Sequence, residues 1–234
     1  MQRLRSLLFV ILFYPGTLLY AITGIAASAF GTRPMRRVVR AWAEFHHRLC
    51  KKLLKIRVRP SGHFPRGPAL IAVKHQSMFE TIEILRLARA PVIVIKRELA
   101  DMPFFGWITR IYGVIPVDRE AGAKALRNLL SEARIVAASG RSVVIFPEGT
   151  RVRPGEAPPL RPGFAGLYRV LGLPVVPVAV DSGRLWGRGL VKQPGSIHFQ
   201  AAEAIPPGLP RAEIEARVHA AINRLEPSAA EPRA

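Results

Sequence analysis

No charged residue occurs between positions 6 and 32, a run of 27 residues. A helix over that run would be about 40 Å long, more than the ~30 Å hydrocarbon core of a bilayer. The default reading is therefore a membrane-associated helical segment. Pro15-Gly16 interrupts the run and predicts a kink or a helix–turn–helix hairpin there. Arg3 and Arg5 precede it, and Arg33, Arg36, Arg37 and Arg40 follow it, then Arg48, Lys51, Lys52 and Lys55. Basic residues on both flanks suit a segment that dips into one leaflet and returns. The heavier downstream cluster places the main domain on the cytoplasmic side of an inner or cell membrane. A cleaved signal peptide ending near Ala27-Ser28-Ala29 is an alternative, against which the basic residues just downstream argue. A buried core helix is another, against which length and absence of charge argue.

Over positions 34–56, Val38, Trp42, Phe45, Leu49 and Leu53 recur at helical spacing, with Arg36, Arg40, His47, Lys51 and Lys55 on other faces. Such a basic amphipathic helix can lie on an anionic bilayer or pack its stripe on the domain. Charge matters for the rest of the chain too. Lys and Arg number 35 against 16 Asp and Glu, a net +19. That surface seeks polyanions: anionic lipid, phosphorylated substrates, an acidic carrier protein or nucleic acid. A nucleic-acid partner is disfavoured, because the chain lacks a basic helix interleaved with stacking aromatics and any zinc-finger spacing. Cys50 is the one cysteine, so neither an intrachain disulfide nor a cysteine metal cluster can form.

Beyond position 56, short apolar runs at 70–73, 92–95, 114–117, 142–146, 175–180 and 197–199 read as strands. Helical patterns at 77–88, 103–112, 122–138, 164–171 and 211–225 lie between or after them. The alternation predicts an α/β domain with a mostly parallel sheet flanked by helices. Organisation follows as a membrane-associated segment with its amphipathic helix over 1–56, the α/β domain over 57–225 and a loose tail over 226–234. Parallel sheets carry their chemistry in loops at strand C-terminal ends. His75, Lys96 and Glu148 all fall at such ends.

Four motifs carry the chemistry. In Lys74-His75-Gln76-Ser77-Met78-Phe79-Glu80, His75 is suited to accept a proton near neutral pH, and a carboxylate on its other nitrogen would orient it. Glu80 reaches His75 only if the histidine precedes the helix and Glu80 lies in its first turn, with Ser77 as cap. Ser77-x-x-Glu80 is also a capping box, and both roles are compatible. Phe146-Pro147-Glu148-Gly149-Thr150-Arg151 follows a strand, and its free N–H groups with Thr150 and Arg151 can hold a phosphate. Read in isolation, the motif is better explained by an ordinary turn with a salt bridge. Gly113 to Arg119 delivers Arg119 beside Asp118, either a phosphate ligand or a surface pair. Lys96 just past its strand is a similar case. Positions 175–180 read as a core wall, where Pro177 predicts an edge strand or a bulge.

In this order, over positions 69–180, the four motifs resemble those of the glycerolipid acyltransferase family, which includes 1-acylglycerol-3-phosphate acyltransferases. The last three match well. The first departs, because the family usually has Asn-His, four residues and Asp, where this chain has Lys74-His75 and then Glu80. The resemblance implies that His75, oriented by Glu80, deprotonates the acceptor's sn-2 hydroxyl. That oxygen then attacks the thioester of acyl-CoA or an acidic acyl carrier protein, giving phosphatidic acid. It further implies that Lys96, Arg119 and Arg151 hold the acceptor phosphate, that Glu148, Gly149 and Thr150 line that pocket, that membrane lipid is a partner, and that no metal or redox cofactor takes part. Glycerol 3-phosphate, another lysophospholipid or a lyso-aminolipid are alternative acceptors. An inactive basic membrane scaffold is the alternative of another class.

Overall fold

The computed structural model describes residues 1–103, 105–117, 122–137 and 139–226. Two long helices open the chain, α1 (Gln2–Ser28) and α2 (Thr32–Leu49), and a π-helical turn (Cys50–Leu54) leads out of them. Then come β1 (Ile56–Ser61), β2 (Leu70–Val73), α3 (Phe79–Leu87), β3 (Val92–Lys96), the short α4 (Arg97–Ala100) and α5 (Phe105–Tyr112). β4 (Ile115–Val117), α6 (Gly122–Ala137), β5 (Val143–Ile145), α7 (Pro162–Leu171), β6 (Val175–Val180), β7 (Gly195–Ala201) and α8 (Arg211–Ile222) complete the order.

The kink or hairpin expected at Pro15-Gly16 is absent, and the apolar run forms one unbroken helix that pairs with α2 in a hairpin instead. α1 runs straight through Pro15, and the chain reverses at residues 29–31. Gly16 packs against the Phe45 ring of α2. A Cβ built there would lie 2.5 Å from the Phe45 ring. A pair that reads as a helix breaker is thus a site of helix–helix contact. The Trp42 indole N–H donates to Thr17 Oγ1 at 3.0 Å and ties the two helices together. The amphipathic stripe takes the inward reading, since Trp42, Phe45, Leu49 and Leu53 pack on the main core. The helix also stops short of position 56, because residues 56–59 alternate buried or half-buried Ile56 and Val58 with exposed Arg57 and Arg59. That period of two belongs to a strand, and the strand pairs with β7.

Among the described residues the sheet has seven strands, in the order β1-β7-β6-β2-β5-β3-β4. Every neighbouring pair is parallel except β6–β7. Pro177 lies in an interior strand, so the bulge is the correct half of its expectation. Two residues lie between Val175 and Val178, while three lie between their partners Ile205 and Ala201. The extra residue opens the ladder where proline has no N–H to give.

Alternate side chains feed two cores. Ile71 and Val73 of β2 face a cluster with Phe9, Phe13, Met35, Phe79 and Trp186. Leu70 and Ala72 face another with Leu129, Phe164, Leu167, Ile214 and Val218. The hairpin and α3 therefore cover one face of the sheet, and α6, α7 and α8 the other. The outer side of α1 stays apolar and uncovered, with Leu4, Leu8, Ile11, Leu18, Leu19 and Ile22 all exposed.

Candidate active site

The strands β2, β5 and β6 lie side by side and run the same way, so their C-terminal ends share one edge. His75 follows β2, Glu148 follows β5 and Ser182 follows β6. The first motif folds as its spacing requires, with His75 before α3 and Glu80 in the first turn. His75 Nδ1–H donates to Glu80 Oε1 at 2.9 Å. A carboxylate only accepts, so the proton sits on Nδ1 and the ring's lone pair on Nε2. The imidazole lies against the Phe146 ring, centroids 4.3 Å apart, and its side chain is 12% exposed.

Glu80 is fully buried and saturated. Oε1 also accepts from the backbone N–H groups of Gln76 (2.6 Å) and Ser77 (2.5 Å). Oε2 accepts from the hydroxyls of Ser77 (2.7 Å) and Ser182 (2.6 Å). The reach back to the Ser77 N–H is half of a capping box, while the Ser77 hydroxyl accepts from the Phe79 N–H at 3.1 Å rather than from that of Glu80, and Met78 is the residue that precedes the helix. Orienting the histidine and capping the helix are one arrangement. Burial pushes the Glu80 carboxyl up, but the bonds from His75, Ser182 and Ser77 outweigh it and hold it below its ordinary value. Glu80 therefore stays ionised beside the imidazole.

Glu148 faces inward. Its Oε1 accepts from Lys74 Nζ at 2.6 Å and its Oε2 from the His75 backbone N–H at 2.9 Å. Burial pushes this carboxyl up against the pull of those two donors. Lys74 is wholly buried, and its three ammonium protons go to Glu148, the Glu156 carbonyl (2.7 Å) and Asn223 Oδ1 (2.6 Å). Glu148 thus holds the histidine's backbone, with both oxygens engaged by protein donors. Beyond it the chain turns outward. Gly149 has φ +72°, a left-handed conformation suited to glycine, and Thr150 and Arg151 are exposed. The Val152 N–H donates to the His75 carbonyl at 2.8 Å, which seats this loop beside His75.

Lys96 ends β3 on the same sheet edge, half exposed, in an ion pair with Glu98 at 2.5 Å. No bond joins it to His75 among the described residues. Asp118 and Arg119 lie outside the described residues. An apolar cleft opens between the hairpin, α3, β3 and α5, lined by Val38, Trp42, Ile82, Leu85, Ile95 and Ile108. On α3 its lining begins at Thr81, the residue after Glu80.

Four contributors are absent from the sequence reading: Lys74 as a buried cation, Ser182, Asn223 and Glu226. Ser182 follows a strand end, the signal that marked His75 and Glu148. Asn223 and Glu226 carry no local mark. Glu226, placed in the loose tail by the sequence, is docked: it accepts from the Gln76 amide, and from the Gly155 N–H at 2.6 Å.

The profile of the family described as Acyltransferase matches residues 55–181. The 1-acyl-sn-glycerol-3-phosphate acyltransferase of Pseudomonas aeruginosa is 36% identical over 87% of this chain and 81% of its own length. The lyso-ornithine lipid O-acyltransferase of the same organism is 29% identical over 81% of this chain and 78% of its own. The crystal structure of the 1-acyl-sn-glycerophosphate acyltransferase of Thermotoga maritima superposes with a TM-score of 0.76, at 22% identity, over 96% of this chain and 95% of that one.

Proposed function

Because the chain belongs to the acyltransferase family, we propose that it moves an acyl group from a thioester to the sn-2 hydroxyl of 1-acylglycerol 3-phosphate, producing phosphatidic acid. The observation that carries this reading is the His75–Glu80 pair at the sheet edge, with the ring's lone pair on Nε2. His75 Nε2 takes the hydroxyl proton as the acceptor oxygen attacks the thioester carbonyl. Glu80 stabilises the imidazolium that forms. The tetrahedral intermediate collapses, the C–S bond breaks, and the imidazolium returns its proton to the thiolate. The substrate supplies the nucleophile, so the enzyme contributes base, orientation and charge.

The acceptor phosphate is assigned to Thr150, Arg151, Lys96 and Arg119. The N–H of Gly149 donates to the Phe146 carbonyl, so this glycine shapes the loop. The donor is acyl-CoA or an acidic acyl carrier protein, and the scheme draws on no metal or redox group. An acyl chain fits the apolar cleft beside α3. α1 is long and apolar enough to cross a membrane, and its exposed face and basic flanks support attachment with the domain on the cytoplasmic side.

A lyso-aminolipid acceptor is the second reading, favoured by the likeness to the lyso-ornithine enzyme. Lys74, one of the two residues that set the first motif apart, does not speak for it, because its ammonium is buried and fully bonded. The test is a competition assay on the detergent-purified protein. One labelled acyl thioester is offered with 1-acylglycerol 3-phosphate, glycerol 3-phosphate and a lyso-aminolipid, and products are read by mass spectrometry. The expected product is phosphatidic acid, absent with His75→Ala. A dominant acylated aminolipid would transfer the reading to the second acceptor.

A further inference from the structure

The turn after α8 lies 150 residues from the first motif, yet both chains of bonds that fix His75 lead back to it. One runs through the backbone. Asn223 Oδ1 accepts from Lys74 Nζ, and Glu226 Oε1 lies 3.7 Å from the same ammonium. Lys74 grips Glu148, and Glu148 holds the His75 N–H. The other runs through the side chain. Glu226 Oε1 accepts from Gln76 Nε2, and Gln76 Oε1 accepts from the Gly183 N–H at 2.8 Å. Gly183 adjoins Ser182, which donates to Glu80, the acceptor of the His75 Nδ1 proton. Glu226 reaches a third element as well. Its Oε2 accepts from the Gly155 N–H, and Lys74 donates to the neighbouring Glu156 carbonyl. Those residues belong to the loop that presents Thr150 and Arg151.

We infer that Glu226, with Asn223, is a positioning residue that locks the base and the acceptor-holding loop in one register. The inference rests on the acyltransferase reading for its kinetics, though not for its geometry. Neither residue touches a reacting atom. Glu226 joins three segments that are otherwise far apart in sequence, and each of its bonds has a donor that only an acceptor can satisfy. The Gln76 amide is fixed in orientation, since its oxygen is needed by Gly183.

That orientation supplies a sharp test. In Glu226→Gln the new amide has one oxygen for two donors, Gln76 Nε2 and the Gly155 N–H, so one bond is lost whichever way it turns. In the double variant Gln76→Glu/Glu226→Gln the pattern is restored in mirror image. The carboxylate at 76 accepts from Gly183 and from the amide at 226, whose oxygen accepts from Gly155. The single variant is expected to lose about tenfold in kcat/KM for the phosphorylated acceptor, the size of one hydrogen bond to a charged group. The KM for the thioester should be unmoved, and the double variant should recover most of the loss. Thermal melts of all three proteins check that each is folded. Unchanged kinetics in the single variant, or no recovery in a folded double variant, overturns the inference. If the wild type turns over none of the offered acceptors, the acyl-transfer reading fails. The positioning is then judged by the rate at which diethylpyrocarbonate modifies His75, read by mass spectrometry. Several-fold faster modification in the single variant, reversed in the double, upholds it; equal rates in all three proteins reject it.

Discussion

At the scale of single residues, the site turns on one buried carboxylate. Glu80 accepts from three N–H groups and two hydroxyls, so its ionised form is more stable in the folded chain than in the unfolded one. A depressed carboxyl stabilises the fold above its unfolded value, near 4.5, and the contribution is lost as pH falls through the folded value. Glu80→Gln puts an amide N–H among donors and has no charge to titrate. It should cost stability at neutral pH, and the gap to wild type in urea melts should narrow on acidification below 4.5. A gap constant with pH would show that Glu80 is not held ionised. Turnover should fall about 10²-fold or more, because the imidazolium loses its counter-charge; a near-normal rate leaves Glu80 as a cap only. His75 and Glu148 are legible in the sequence because each follows an apolar run at a strand end, and Glu80 because it stands at capping-box spacing from Ser77. Lys74 is not, since a lysine beside a site reads as exposed, and only the fold shows its three acceptors. Asn223 and Glu226 are invisible for a different reason: their partners are brought near by the closing helix, and short-range pattern carries no trace of that.

At the scale of elements, the legible parts are those whose hydrophobic period is unambiguous. The strands β2 to β7 and the helices at 122–137 and 211–222 fall where the pattern puts them. One local signal misleads. Pro15-Gly16 reads as a break, but a proline costs a helix one bond while the packed α2 retains many. Thr17 Oγ1 also gives the Phe13 carbonyl an extra donor at 2.7 Å. The strand at 56–61 is not foreseen, because six residues carry little period of their own, and its first residue, Ile56, falls inside the expected helix. The close approach at Gly16 yields a prediction of its own. Gly16→Val drives two methyl groups and a Cβ into the Phe45 ring, which already lies 5.5 Å from the Tyr20 ring. Overpacking of this kind costs about 1–3 kcal/mol. The thermal midpoint of the detergent-solubilised protein should drop by several degrees, and a companion Phe45→Leu should restore part of it. An unchanged midpoint would mean that the hairpin is loosely joined.

At the scale of the whole molecule, the hairpin is a wall of the enzyme as well as a membrane element. Phe9 and Phe13 are each 3% exposed. Phe9 meets Trp186 edge-on at 5.5 Å, and both rings contact His46. His46 in turn lies against Phe79, the first residue of the helix that carries Glu80. Burial lowers the His46 imidazole to about 4, so it sits neutral among the aromatic rings as part of the core. A helix that served only to anchor the chain could be removed without touching the sheet. Here its removal would strip one core face, exposing Phe79, Trp186 and Phe199. The consequence is testable without a membrane. Phe13→Ala removes a buried ring at the junction and should destabilise the whole chain by about 3–5 kcal/mol. Hairpin and α/β domain should then melt together in a single transition, displaced to lower urea. Probes on the two parts, far-UV ellipticity for the helices and near-UV ellipticity around Trp186, should stay superimposed. Two separated transitions, with the domain's own midpoint unmoved, would show that the hairpin folds apart from the site it covers.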